Sequence, residues 1–418
     1  MSLEQLKKDA CAAVDAMRAE LLDLSHTIHG EPELALEEFK AAAHLAQAVE
    51  RNGLTVQREA FGLPTGYAAE FGRDGGPVIA ILSEYDALPG IGHACGHNII
   101  ATSGLGAALA LSKLKLPGRV RYLGTPAEER IGGKEIMARH GAFDRCDAAM
   151  MIHPSNENLI TMPCIAIAEV EAIYHGKSAH ASAMPYRGLN ALDAVVTAYQ
   201  SIAQLRQHIR NSDRIHGIIT EGGLAPNIVP ERAACRFFVR AADAHALGPL
   251  KQRVQACFEA GALSTGCRLE VHWGDTDYLD LKTNWPMAEL FEANAVGLGR
   301  EFFPVKDLPP GYAGSTDMGN VSHRVPSIHP MLGVAPAGVI IHNPEFTRYA
   351  ASPQGDQAVI DGAKAMAMTA LDLMGDPARL VSAKADFEAT AELSRGAIAK
   401  SREPVVIHDH GHGGCGCA

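Results

Sequence analysis

Four short apolar runs in this chain each lead to a residue able to bind metal or move protons. Val78–Ser83 leads to Asp86, residues 120–123 to Glu128 and Glu129, residues 148–152 to His153, and residues 338–341 to His342. Each run is short, continuous and aliphatic, the pattern of a strand buried on both faces of a sheet. In an open α/β sheet, ligands collect beyond the carboxyl ends of parallel strands, so residues far apart in sequence converge there. Between the first two runs the chain reads His93, Ala94, Cys95, Gly96, His97, Asn98. Gly92 and Gly96 permit a tight loop that turns Cys95 and His97 to one side. A thiolate, imidazoles and carboxylates around one cavity make a divalent transition-metal site. Imidazole and sulfur suit zinc, and carboxylate widens the choice towards manganese or cobalt.

The adjacent pair Glu128 and Glu129 follows Thr125, Pro126 and Ala127 and precedes Gly132 and Gly133. After a buried strand, such a pair suits a division of labour. One carboxylate binds a metal, and the other takes a proton from water and passes it to a leaving amine, which is hydrolysis. The stretch Gly104, Leu105, Gly106 hints at a nucleotide loop, but a third glycine is missing and residues 103–111 are all small or apolar. A helix packed close against the sheet explains it better. Lys and Arg total 37 against 48 Asp and Glu, giving −11 with no long basic run. Nucleic acid and anionic membranes are disfavoured as partners. Residues 1–23 read as one amphipathic helix, no run is long enough to span a bilayer, and nine cysteines are scattered. These features predict a soluble cytoplasmic protein in a reducing compartment.

At 418 residues, two cores are the natural prior. The grain of the sequence changes near residue 166. Before it, apolar strands alternate with helical stretches at residues 37–51 and 134–139, the α/β signature. Between residues 167 and 276 the order becomes strand, helix, strand, strand, helix, strand, a ferredoxin-like α+β arrangement. The α/β grain then returns, with helices expected at residues 285–298 and 357–374. The division expected is residues 1–166 and 277–400 for a catalytic domain, 167–276 for an insert, and 401–418 for a His- and Cys-rich tail.

These motifs resemble those of the M20 family of metallopeptidases and amidohydrolases. The branch in question holds aminoacylases, auxin-conjugate hydrolases, aminobenzoyl-glutamate hydrolases and β-alanyl dipeptidases. His29, Pro32, Glu33 and Glu37 resemble an N-terminal His-x-x-Pro-Glu segment with a Glu after it, Asp86 to Pro89 an Asp-Ala-Leu-Pro, and residues 92–98 a His-Ala-Cys-Gly-His segment. Asn98, where most of the branch has Asp, and Glu84 and Tyr85 ahead of Asp86 look closer to the aminobenzoyl-glutamate and β-alanyl dipeptide hydrolases.

The resemblance implies a zinc-exopeptidase-like α/β catalytic domain with an inserted ferredoxin-like lid and dimerisation domain. Two divalent ions per subunit, zinc or manganese with cobalt or nickel as alternatives, would be held by Cys95, His97, Glu129, His153 and His342. Glu128 becomes the general base and Asp86 a group that orients a ligand. In the insert, Gly176 to Ala181 resemble a motif whose His, here His180, polarises the scissile carbonyl, often in the partner subunit's site. Asn227 and Arg240 match positions holding the substrate's carboxylate or carbonyl, and Ser315 lies in Gly314 to Asp317, a signature beside the metals. The substrate implied is an N-acyl amino acid or dipeptide with a free carboxylate, cleaved by a homodimer.

Two other classes fit the residues less well. A non-hydrolytic metal-handling protein has no use for Glu128 and His180, and a nucleophilic hydrolase lacks a Gly-x-Ser-x-Gly elbow. The tract from His408 to Cys417 alternates metal-ligand side chains, which fits either an end without a role or a metal-delivery tail.

Overall fold

The computed structural model describes residues 2–309 and 311–407, so the His408 to Cys417 tract lies outside the described residues. The chain forms two compact units. Among the described residues, one is built from 2–164 with 281–395, the other from 165–280 with 396–407. Ala397 and Ile398 pack with Ala244 and Leu279, which gives the later segment its place in the second unit. Among the described residues no helix is long and apolar enough to cross a membrane.

The first unit is organised by a six-stranded sheet in the order Gln57–Arg58, Tyr67–Gly72, Arg119–Gly124, Val78–Ser83, Ala148–Met150, Ser327–Ile328. The last four strands are mutually parallel, and Tyr67–Gly72 adds an antiparallel edge to Arg119–Gly124. A small parallel sheet pairs His153–Ser155 with Met331–Gly333. The expected 148–152 strand is therefore split, with Met151 and Ile152 carrying the chain from one sheet to the other.

Helix His97–Ser112 is buried from His97 to Leu111. Its glycines explain that close approach. A Cβ at Gly104 would stand 2.5 Å from Leu82 O, and one at Gly106 would stand 2.9 Å from Leu21 Cδ1. The nucleotide-loop look of this stretch is thus a packing feature.

Two expectations are corrected. The N-terminal region forms two helices, Leu3–Ala16 and Arg18–Gly30, because Met17 leaves helical geometry at φ −97 and ψ 3. The break lets Leu6, Ala10 and Val14 of the first and Leu21, Leu24 and Ile28 of the second reach the same core. The run at residues 338–341 is not a strand. Val339 N closes a turn on Pro336 O, Ile340 is 56 % exposed, and the fourth parallel strand is Ser327–Ile328 instead.

The second unit is a four-stranded antiparallel sheet in the order Arg268–Trp273, Ala166–His175, Arg232–Ala241, Arg214–Glu221. Alternation on the strand Ala166–His175 puts Ala166, Ala168, Val170, Ala172 and Tyr174 into a core shared with helices Ala191–Leu205 and Ala244–Thr265.

Candidate metal centre and hydrolytic site

The parallel strands deliver their following residues to one edge of the sheet. Val78–Ser83 delivers Glu84 and Asp86, and Arg119–Gly124 delivers Glu128 and Glu129. Gly96, in the left-handed region at φ 77, starts the helix on which His97 is the first residue. A Cβ there would also stand 2.5 Å from Pro154 Cγ, so glycine lets the Cys95 loop close onto the segment after His153.

Cys95 Sγ lies 3.3 Å from His153 Nε2. The other ring nitrogen, Nδ1, is 2.6 Å from Pro154 O, which fixes it as the protonated one and leaves Nε2 with its lone pair facing the thiol. Burial and then the neighbouring His329 hold His153 well below the usual imidazole range, so the ring stays neutral, as a ligand must. His97 Nδ1 is 3.1 Å from Asp86 Oδ1, while the Glu129 backbone N donates to Asp86 Oδ2 at 2.9 Å. Asp86 thus sets both the ring of His97 and the turn of the glutamate pair. His342, in the left-handed region at φ 62, has its backbone N on Ala94 O at 2.9 Å and its Nε2 3.5 Å from Glu129 Oε1. A non-glycine residue held there is a strained position of the kind found at sites.

Among the described residues, three groups have donor atoms within 4.8 Å of one another: Cys95, His97 and His153; Cys95, Glu129 and His342; and Glu84, His97 and Glu128. His97 Nε2 and Glu129 Oε1 are buried without a well-formed hydrogen bond and lie 3.7 Å apart, with Glu84 Oε1 3.1 Å from the first and His342 Nε2 3.5 Å from the second. So many buried nitrogen, sulfur and carboxylate donor atoms crowded together are costly unless a cation sits among them. The donor set fits divalent metal on that ground, and its mix of sulfur, nitrogen and oxygen suits transition metals. Burial, then the charges of Glu84, Glu129 and Asp317, pushes the Glu128 carboxyl well above the ordinary range. Burial likewise pushes the Cys95 thiol up. A dication reverses both directions.

Several residues named from the sequence prove to be scaffolding. His93 Nε2 contacts Ile28 O at 3.0 Å and its ring stacks on His29, whose Nε2 meets Thr347 O at 2.8 Å. Glu33 accepts from Lys40 N and Ala41 N, opening helix Phe39–Arg51. The glutamate that matters after it is Glu38, not Glu37. Glu38 is fully buried, accepts from Ala127 N and from Thr65 Oγ1, each at 2.9 Å, and so supports the turn at Ala127, φ 63, that precedes Glu128. Asn98 Nδ2 donates to Ser25 Oγ and Ala350 O. An aspartate has no hydrogen to give there.

Glu84, Lys134 and His329 at this edge carry no role in the motifs above, whereas Asp317 belongs to the Gly314 to Asp317 signature. Glu84, Lys134 and Asp317 form a buried ion cluster. His329, directly after Ser327–Ile328, faces His153 edge-on at 5.4 Å between ring centres. Ser315 lies in the segment that Asp317 closes. The strand that signals His329 is only two residues long and sits between Pro326 and Pro330, too short for an apolar-run criterion.

In the second unit, Ala181 N donates to Asn227 O at 3.0 Å and His180 bridges to Ile228, so His180 and Asn227 are neighbours. Gly176 N meets Glu231 O, at the start of strand Arg232–Ala241. Arg240 is at the other end of that strand, roughly 26 Å away at strand rise, with its Nε on His216 Nε2 at 3.3 Å. Eight residues of extended strand thus lie between Arg240 and the strand end nearest Asn227.

A family model described as peptidase family M20/M25/M40 matches residues 80–372. An Xaa-Arg dipeptidase of Mus musculus is 40 % identical over 402 residues, 92 % of this chain and 93 % of that protein. A p-aminobenzoyl-glutamate hydrolase chain of Escherichia coli (strain K12) is 36 % identical over 62 % of this chain and 58 % of its own length. Among solved structures, a Bacillus subtilis dinuclear metal binding peptidase of the M20 family superposes with TM-score 0.64 at 21 % identity, covering 86 % of this chain and 99 % of that one. An aminobenzoyl-glutamate utilization protein from Klebsiella pneumoniae gives 0.70 at 18 % identity, over 89 % and 98 %. The structural likenesses speak for the fold, and the family match together with the full-length relative speaks for the lineage. The chain belongs to peptidase family M20/M25/M40 and is a metal-dependent peptidase or amidohydrolase.

Proposed function

We propose that the chain cleaves the amide bond of dipeptides carrying a free carboxylate, with a basic C-terminal residue as the preferred leaving amino acid. The convergence of donor atoms from Cys95, His97, Glu129, His153 and His342, with Glu128 beside His97, carries the reaction class. The substrate class draws on the Xaa-Arg dipeptidase relative, whose similarity runs through both units.

Cys95, His97, Glu129, His153 and His342 would hold two divalent ions, zinc or manganese in this reading. Such ions supply the positive charge that lowers the pKa of water and polarises a carbonyl. Asp86 orients His97 and Glu129. Glu128 takes the proton from water and returns it to the nitrogen of the leaving amino acid. His180 donates to the oxygen on which charge develops, and Asn227, Arg240 and Ser315 bind substrate polar groups. The separation of Arg240 from His180 and Asn227 favours a homodimer in which the two ends of the sheet serve different sites. Residues 167–276 act as its lid and dimerisation domain, and the protein works in the cytoplasm.

The test is a mass-spectrometric panel of dipeptides ending in Arg or Lys, N-acyl amino acids and aminobenzoyl-glutamate. The protein, truncated after Glu403 to remove the tail, is assayed metal-loaded and chelated. Cleavage of dipeptides with a basic C-terminal residue by the loaded sample alone supports the reading. Silence across the panel from folded, loaded protein contradicts it.

A further inference from the structure

Lys134 is fully buried, yet it is held by two carboxylates. Its Nζ donates to Glu84 Oε2 and, at 2.7 Å, to Asp317 Oδ1, while its backbone N donates to Asp317 Oδ2 at 2.8 Å. An interior ammonium persists only when paired, and for stability alone a packed apolar side chain of similar volume serves as well. The partners of this ammonium show what else it does.

Glu84 follows strand Val78–Ser83 and is 1 % exposed, and its Oε1 lies 3.1 Å from His97 Nε2. Asp317 closes the segment holding Ser315 and opens helix Met318–Ser322. Lys134 stands in helix Gly133–Arg139, and a Cβ at Gly133 would fall 1.8 Å from Pro126 O. That contact ties the helix to the turn that carries Glu128 and Glu129. Asn320 Nδ2 on Glu135 Oε2 at 3.0 Å ties the helix of Lys134 to the one that Asp317 opens. Three pieces of the site, the His97 surroundings, the glutamate turn and the Ser315 segment, therefore meet at one ammonium.

We propose that Lys134 is a positioning residue of the hydrolytic centre, acting through Glu84 on the ring of His97 and through Asp317 on the Ser315 segment. This rests on the amide-hydrolysis reading above. Lys134 fixes where the carboxylate of Glu84 stands, and Glu84 in turn sets the charge and orientation that His97 Nε2 meets. Glu84→Gln is the informative change, because Lys134 keeps Asp317 as a one-to-one partner.

The experiment compares Glu84→Gln with the unaltered protein in two ways: the visible absorption of the cobalt-loaded form, and kcat and KM per folded molecule on the best substrate of the panel. The expected result is a shifted cobalt band and a kcat lower by about tenfold or more, with KM changed by less than about threefold. If Glu84→Gln fails to fold, Glu84→Gln/Lys134→Gln/Asp317→Asn removes all three charges together and is read in the same way. An unchanged cobalt spectrum with unchanged kcat in a folded variant overturns the proposal. If no panel substrate is cleaved by the unaltered protein, the functional reading fails, and the cobalt spectrum alone still decides this one.

Discussion

At the strand ends of the first unit, Glu84, Asp86, His97 and Lys134 are each at most 1 % exposed and hold one another in place. In the second unit His180 and Asn227 are exposed, and His180 is held by hydrogen bonds from Ser182 N and Ala183 N at 3.3 Å and by its bridge to Ile228. Buried charges must be mutually satisfied, so each side chain of the first set is fixed by the fold and contributes to it. Exposed polar groups cost little to rearrange, and their geometry is set by local backbone. A substitution in the first region should therefore disturb stability and chemistry together, and one in the second should separate them.

The largest expected effect in the second region is that of His180→Ala. On loaded protein it should lower kcat about 10² to 10³-fold, the magnitude of a lost oxyanion donor, and leave the melting temperature unchanged. Steady-state kinetics with a thermal melt checks both halves. A matching fall in melting temperature would erase the contrast between the regions.

A smaller effect sharpens the contrast from the buried side. Burial, then the charge of Asp86, pushes the Glu38 carboxyl up to about 7, against roughly 4.3 in an unfolded chain. Between those values the folded chain keeps a proton that the unfolded chain has released. This stabilisation is thus complete below about pH 4.3 and is lost as pH rises to about 7. Glu38→Gln should flatten that decline in the metal-free protein, removing a difference on the order of 3 kcal/mol. Denaturant unfolding near pH 5 and near pH 7.5 measures it, and parallel declines in both proteins would contradict the assignment.

The sequence revealed what depends on pattern. The apolar runs before Asp86, Glu128 and His153 are strands in the main sheet because long aliphatic stretches have few other ways to be buried. The βαββαβ order of the second unit was legible for the same reason, since alternation and helical period differ. His342 was placed at the right edge for the wrong reason. Its apolar run is a turn, and its backbone bond to Ala94 brings it to Glu129. Lys134 and Glu84 were illegible as partners because a lysine in a helix and a glutamate after a strand usually face solvent. Only the folded contacts show a charge cluster. Arg240 shows the opposite limit. Its position matches a motif, but pairing along a ten-residue strand, not motif content, decides how far it stands from Asn227.

The division of labour between Glu128 and Glu129 is the centre of the account, and one measurement addresses it directly. Metal per chain, by mass spectrometry of the truncated protein, is determined for Glu128→Gln together with turnover on the best dipeptide. The account predicts metal content equal to that of the unaltered protein, with turnover lower by at least about 10²-fold. Loss of metal, or turnover retained with metal in place, would contradict it and move the base to the neighbouring carboxylate or elsewhere.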